Sequence, residues 1–141
     1  MIGRLMGLDV GTKTIGVAIS DPLGITAQPT ETIKIDEKSG NFGFERLSEI
    51  IAQNKPIKVV IGLPKHMNND EGARAKASRD FADKFTRKFN LDVEFQDERL
   101  TTVQAEKVLI SGGTRRENRK KYIDKLAAVL ILQNYLDSHR N

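Results

Sequence analysis

The sequence predicts an α/β fold in which helices flank a five-stranded mixed sheet. Three observations support this prediction. Apolar, β-branched runs near the N-terminus read as consecutive strands, later runs of the same kind alternate with segments of helical periodicity, and no repeat or low-complexity segment interrupts the pattern. Because 141 residues is close to the commonest size of one domain, we expect residues 1–141 to form a single domain.

The N-terminal part of the chain is predicted to contain three antiparallel strands. Their predicted ranges are 5–10, 15–20 and about 26–35. The first two strands are joined by a tight turn that contains Gly11, which favours a hairpin. The first strand is apolar apart from Asp9, as expected for a strand that is covered on both faces.

The remaining elements alternate between helix and strand. Apolar residues at helical spacing predict helices over about 41–53, 71–89 and 118–136, and β-branched or apolar runs predict strands over 57–62 and 91–96. A further helix is expected to begin with the capping box formed by Thr101 and Gln104 and to end at Gly112 and Gly113. The order is therefore β-β-β-α-β-α-β-α-α.

Composition narrows the class of protein. The chain has 0 cysteines, so neither a disulfide framework nor a thiolate metal site is available, and we expect a cytoplasmic protein. The longest apolar run, residues 126–132, is far shorter than the roughly 20 residues that span a bilayer. No membrane partner is expected.

Basic side chains concentrate in two segments. Residues 72–88 and residues 112–126 each contain six basic and two acidic side chains, and the rest of the chain is acidic. Basic surfaces on an acidic body are typical of proteins that bind a polyanion such as nucleic acid. Lysine and arginine also solvate ordinary helix faces, and that interpretation stays open for each segment.

Three carboxylates stand at the edges of elements that look buried. Asp9 lies on the first strand, Glu98 follows the fifth, and Asp124 shares a helix stripe with Ala127 and Ala128. If the first and fifth strands are neighbours and the last helix packs across them, the three side chains converge. Such a cluster of carboxylate oxygens suits Mg²⁺ or Mn²⁺.

Four short motifs are spread over the whole chain. They are residues 7–18, 62–64, 97–102 and 124–128. Together they resemble the YqgF family, RuvC-related proteins of the ribonuclease H-like fold. The resemblance implies a metal-dependent nuclease, which the family's descriptions present either as a Holliday junction resolvase-like protein or as a nuclease for the 5′ end of 16S ribosomal RNA precursors.

The resemblance and the carboxylates together give each site residue an expected role. Asp9, Glu98 and Asp124 are expected to hold the metal for attack of water on a phosphodiester, and Lys13 and Arg99 are expected to neutralise phosphate charge. Further contacts to nucleic acid are expected from Arg74, Arg115, Arg116, Lys120 and Lys121. Whether the site holds one metal ion or two stays open. The residues three positions before and after Asp124 on the helix are Lys121 and Ala127, and neither offers a carboxylate to a second ion.

Other functions fit parts of the sequence. The motif around Asp9 also looks like the phosphate-binding hairpin of actin-like ATPases and sugar kinases, but those proteins need two such cores. A nucleic-acid-binding factor without catalysis stays open, whereas a structural scaffold leaves the three acids unexplained. The substrate can be precursor ribosomal RNA or branched DNA. The oligomeric state also stays open between a monomer and a homodimer.

Overall fold

The computed structural model describes residues 3–36, 38–63, 72–97 and 116–139, and at residues 73, 97 and 116–125 it describes the backbone alone. Within these ranges lie five strands and three helices. They are β1 (Leu5–Val10), β2 (Thr14–Ser20), β3 (Ala27–Lys34), α1 (Phe44–Asn54), β4 (Lys58–Leu63), α2 (Ala73–Phe89), β5 (Asp92–Asp97) and α3 (Arg116–Ser138).

The predicted element order is confirmed wherever the structure describes the chain. Each strand and helix lies within a few residues of its expected range. The helix predicted between Thr101 and Gly112 lies outside the described residues. No helix of the described part is both long and apolar enough to cross a membrane.

The strands form one mixed sheet in the order β3-β2-β1-β4-β5. β1 pairs antiparallel with β2, and β2 with β3, which confirms the prediction for the first three strands. β4 pairs parallel with β1 and with β5. The carboxyl ends of β1, β4 and β5 therefore meet at one edge of the sheet, which we call the carboxyl edge.

The first and fifth strands are not neighbours in this sheet. The simplest route to converging carboxylates makes β1 and β5 neighbours, but β4 lies between them. The connection through α1 places β4 against the edge of β1 that β2 leaves free, and the connection through α2 then adds β5 outside β4. β1 and β5 are thus two strand spacings apart, about 9–10 Å.

The two faces of the sheet carry different cores. On one face, which we call the aromatic face, Met6, Leu8 and Val10 of β1 pack with α1 and α2 and with phenylalanine rings that include Phe81 and Phe85. On the other face, which we call the α3 face, the core consists of Leu5, Ala18, Val60 and the buried residues of α3. Successive strand residues point to opposite faces, so Gly7 and Asp9 belong with Leu5 to the α3 face.

Candidate active site

Asp9 is the penultimate residue of β1 and lies next to the carboxyl edge of the sheet. It is half-buried, and its neighbours Leu8 and Val10 are buried on the opposite face. Across the β1–β2 ladder it pairs with Gly16, which carries no side chain to cover it. The strand thus places a carboxylate on the α3 face where the parallel strands end.

Helix α3 touches β1 two residues before Asp9. A Cβ atom built on Gly7 would lie 2.8 Å from the Cβ of Leu132 and 3.1 Å from the carbonyl oxygen of Ala128. The contact of 2.8 Å is shorter than real Cβ atoms show, so a side chain at this position would force the helix or the strand to shift. The small residue on the strand therefore seats the helix backbone directly on β1.

The direction of α3 follows from its polar contacts. The Gln133 side chain accepts a hydrogen bond from Ala27 N (2.9 Å) and donates one to Ile25 O (3.0 Å). Ala27 pairs with Ser20, whose hydroxyl accepts a hydrogen bond from Leu5 N at the start of β1. Residue 133 thus lies near the start of β1 and residue 128 near Gly7. The earlier turns of α3 therefore lie toward the carboxyl edge.

From this arrangement we expect the turn that contains Asp124 to lie near the level of Asp9. Asp124 precedes Ala128 by four residues, about 6 Å along a helix axis, and Asp9 follows Gly7 by two residues, about 7 Å along a strand. Both steps start from the Gly7–Ala128 contact and run toward the carboxyl edge. A helix that runs parallel to β1 from that contact would bring residue 124 near Asp9.

The buried stripe predicted for the last helix is confirmed. Its members downstream of Asp124 are all buried, namely Ala127, Ala128, Ile131, Leu132 and Tyr135. The structure describes the backbone of Asp124, and Glu98 lies outside the described residues just after β5. Among the described side chains, no three histidine, cysteine, aspartate or glutamate residues cluster closely enough to hold a metal. The three-carboxylate site therefore stays a prediction.

A polar contact ties the far end of α3 to β5. The buried Tyr135 hydroxyl donates a hydrogen bond to Glu94 Oε2, and Lys58 Nζ lies 3.6 Å from the same oxygen. The hydrogen bond from the Tyr135 hydroxyl is the main reason why the pKa of Glu94 is lowered. Burial is the main reason why the pKa of Tyr135 is raised. At neutral pH the phenol is protonated and the carboxylate is ionised. No local pattern in the sequence predicts this contact.

Arg74 lies at the carboxyl edge and not on an open surface. Its Nη2 donates a hydrogen bond of 2.9 Å to Val10 O, the residue after Asp9, and the side chain is half-buried. This contact joins the first turn of α2 to the end of β1, just past the last β1–β4 pair, Leu8 and Ile61. A guanidinium group therefore stands beside the strand end that carries Asp9.

The other predicted nucleic-acid contacts divide into two groups. Lys13 is exposed in the β1–β2 turn, four residues after Asp9 and at the same edge of the sheet. Arg116, Lys120 and Lys121 belong to the first turns of α3, where the backbone alone is described. Arg99 and Arg115 lie outside the described residues.

Three of the six basic side chains in residues 72–88 lie over phenylalanine rings. The distances from the cation to the ring centroid are 5.1 Å for Arg79 over Phe95, 4.4 Å for Lys84 over Phe42 and 6.0 Å for Lys88 over Phe89. Such cation–π contacts stabilise a fold without any ligand. The charge of this segment therefore does not by itself identify α2 as a nucleic-acid surface.

Comparison with known proteins decides the family. A family model named RuvX and described as Holliday junction resolvase matches residues 3–138. The chain belongs to the RuvX family. The resemblance to the YqgF family is thereby confirmed, and membership makes the chain a hydrolase of the nuclease class.

Two curated relatives of this RuvX protein share the name "Putative pre-16S rRNA nuclease". The relative from Lactococcus lactis subsp. cremoris is 68% identical over 139 residues, which cover 99% of this chain and 97% of the relative. The relative from Streptococcus agalactiae is 65% identical over 135 residues, which cover 95% of this chain and 97% of the relative.

Solved structures confirm the RuvC-like, ribonuclease H-like fold. RuvC of T. thermophilus in complex with a Holliday junction substrate has a TM-score of 0.60 and 16% identity, with 96% of this chain and 94% of RuvC covered. The Fowlpox virus resolvase with Holliday junction DNA has a TM-score of 0.57 and 18% identity, with coverages of 98% and 99%. At such identities the likeness concerns the fold.

Proposed function

We propose that this protein is a metal-dependent endonuclease that hydrolyses phosphodiesters in structured nucleic acid, and that it processes the 5′ end of pre-16S ribosomal RNA. The observation that supports it best is that β1, which carries Asp9, and β5 end at the same edge of the sheet, while α3 packs against β1 at Gly7. The name shared by the two relatives supports the RNA substrate.

The donor set fits a hard divalent cation. Asp9, Glu98 and Asp124 would supply carboxylate oxygens only, which suits Mg²⁺ or Mn²⁺ better than softer metals. Gly16, the partner of Asp9 on β2, adds no side chain beside it. When bound, such an ion polarises a phosphate oxygen and lowers the pKa of a coordinated water.

The chain's own cations would position the substrate. Arg74, held by Val10 O, and the exposed Lys13 lie at the edge where the scissile phosphate would bind. A guanidinium pairs with phosphate through two parallel hydrogen bonds, whereas an ammonium acts as a point charge. We expect Arg99 to act beside them, and the basic residues Arg115, Arg116, Lys120 and Lys121 to bind the neighbouring phosphates of the strand.

Branched DNA is the second candidate substrate. It is favoured by the description of the matching family and by the fold shared with two resolvases that were solved with junction DNA. Symmetric cutting of a four-way junction suits a two-fold dimer, whereas trimming of RNA needs one site. The substrate and the number of subunits are therefore tested together.

The deciding experiment compares cleavage of precursor 16S RNA with cleavage of a four-way DNA junction. Each substrate is offered with Mg²⁺ or Mn²⁺ to the wild type and to Asp9→Asn, which keeps the shape of the side chain and removes its charge. We expect RNA cleavage that requires both the metal and Asp9. Cleavage of the junction alone would replace the RNA proposal, and binding without any cleavage would establish a non-catalytic factor.

A further inference from the structure

The packing of α3 on the sheet is mostly apolar, and Gln133 and Tyr135 add directional hydrogen bonds from α3 to β3 and β5. The aliphatic residues of α3 in this core are Ala128, Ile131, Leu132 and Leu136, and they lie against Leu5, Ala18 and Val60. Burial of apolar surface is favourable but not directional. Such a stripe of small and aliphatic residues holds a helix down without fixing its rotation about its own axis.

The hydrogen bond from Tyr135 to Glu94 supplies direction on the β5 side, opposite the contact of Gln133 with β3. It joins α3 to β5, and Lys58 of β4 approaches the same carboxylate oxygen at 3.6 Å. A hydrogen bond to an ionised acceptor weakens steeply when its geometry is disturbed. Tyr135 is 2% exposed, so its hydroxyl has no comparable alternative in bulk water.

Tyr135 and Asp124 are mechanically linked by the helix between them. They are eleven residues apart, and at 100° per residue this spacing puts them within about 20° of each other around the helix axis. A rotation of α3 by about 10° moves the end of a side chain that stands about 6 Å from the axis by about 1 Å. Functional sites need positions held to about 0.5 Å.

We propose that Tyr135 is a positioning residue for the active site: its hydrogen bond to Glu94, backed by Lys58, sets the rotation of α3 so that Asp124 is presented to Asp9 and the metal. Gly7 sets the distance between helix and strand, and Tyr135 sets the angle. The proposal rests on the proposed function, since it assigns Asp124 to the metal site.

The test uses Tyr135→Phe, which removes one hydroxyl group and leaves the ring in place. We expect the dissociation constant for Mn²⁺, measured by calorimetric titration, to rise by about tenfold, as for other groups that orient metal ligands. With precursor 16S RNA, the cleavage rate should fall while the KM for RNA stays unchanged. A role in stability alone would leave the Mn²⁺ affinity of the folded protein unchanged.

Two further variants sharpen the test. Glu94→Gln keeps a carbonyl that accepts the Tyr135 hydrogen bond, so it should retain more Mn²⁺ affinity than Glu94→Leu. Arg46→Met is the matched control, because Arg46 joins α1 to β3 through Glu31 at 2.7 Å and does not contact α3 in the described structure. It should leave the Mn²⁺ affinity unchanged.

Failure of this proposal can be told apart from failure of the proposed function. Wild-type Mn²⁺ binding and cleavage that persist unchanged in Tyr135→Phe would overturn the positioning role. If the wild type neither binds Mn²⁺ nor cleaves, the proposed function fails. The positioning role is then judged by whether a mercuric ion joins thiols introduced by Asp9→Cys and Asp124→Cys: slower bridging in Tyr135→Phe supports it, and equal rates contradict it.

Discussion

Phenylalanine rings fill the aromatic face of the sheet, whereas the α3 face has aliphatic side chains with glycine and alanine among them. On the aromatic face, ring centroids lie 4.7 Å apart for Phe85 and Phe89 and 5.4 Å apart for Phe44 and Phe81. On the α3 face, the helix backbone reaches β1 at Gly7. Large rings bury much apolar surface, and small residues let two backbones meet. The first face thus supplies stability, and the second supplies the close approach that a shared metal site requires.

The largest expected effect belongs to the aromatic face. Phe85 is fully buried among Phe44, Phe81 and Phe89, so Phe85→Ala should lower the free energy of unfolding by about 3–5 kcal/mol. Urea denaturation measures the change. A loss below about 1 kcal/mol would show that this cluster is not the main source of stability.

The α3 face should respond to one added methyl group. Gly7→Ala places a Cβ 2.8 Å from Leu132 Cβ, so α3 must move away from β1, at a cost of about 1–3 kcal/mol. Because that movement separates Asp124 from Asp9, nuclease activity should fall more than tenfold under conditions where the variant remains folded.

The matched control for Gly7→Ala is the neighbouring residue on the other face. Met6→Leu is a volume-conserving change at a fully buried position of the aromatic face. It should cost less than about 1.5 kcal/mol and leave activity unchanged. Equal loss of activity in both variants would contradict the division of roles between the faces.

The Tyr135–Glu94 contact gives the α3 face its own pH dependence. The pKa of Glu94 lies below its ordinary 4.5, so its stabilisation is present above that pH and is lost as pH falls through the folded-state pKa. The pKa of Tyr135 lies above its ordinary 10.0, so its contribution is present below pH 10 and is lost as pH rises through the folded-state pKa.

Glu94→Gln tests this pH dependence. The stability difference between wild type and variant should be largest between about pH 4.5 and 10 and should shrink on either side. Urea denaturation across this range measures it. A difference that does not change with pH would show that the contact carries no ionisation-linked stabilisation.

The smallest effect concerns a buried hydroxyl on α2. Ser78 Oγ is fully buried and has no hydrogen-bond partner within the described ranges. Ser78→Ala removes an unsatisfied polar atom, so it should leave stability unchanged or raise it by up to about 1 kcal/mol. Thermal denaturation measures the change, and a loss above 1 kcal/mol would reveal a partner for this hydroxyl.

Local patterns in the sequence were enough to predict the elements. Period-two and helical spacing placed the strands, α2 and the buried stripe of α3, because each depends on residues a few positions apart. The insertion of β4 between β1 and β5 was not predictable in this way, since local patterns do not say whether β4 or β5 pairs with the edge of β1 that β2 leaves free.

Contacts across the sequence were also beyond local patterns. Tyr135 and Glu94 are 41 positions apart, and Arg74 and Val10 are 64 apart. Arg74 was predicted from charge alone as a nucleic-acid contact, whereas its backbone partner shows why it stands at the carboxyl edge. Gly7 offered no local sign that it seats a helix, because its constraint comes from Ala128 and Leu132.

The proposed metal site requires that α3, seated on Gly7, presents Asp124 to Asp9. The chain has 0 cysteines, so thiols introduced by Asp9→Cys and Asp124→Cys can be titrated without interference. A mercuric ion joins two thiolates only when one ion can reach both. The control pairs Asp124→Cys with Lys55→Cys, at the C-terminal end of α1. We predict one bridging ion per molecule in the first pair and none in the second, by mass spectrometry; no bridge in the first pair would contradict the claim.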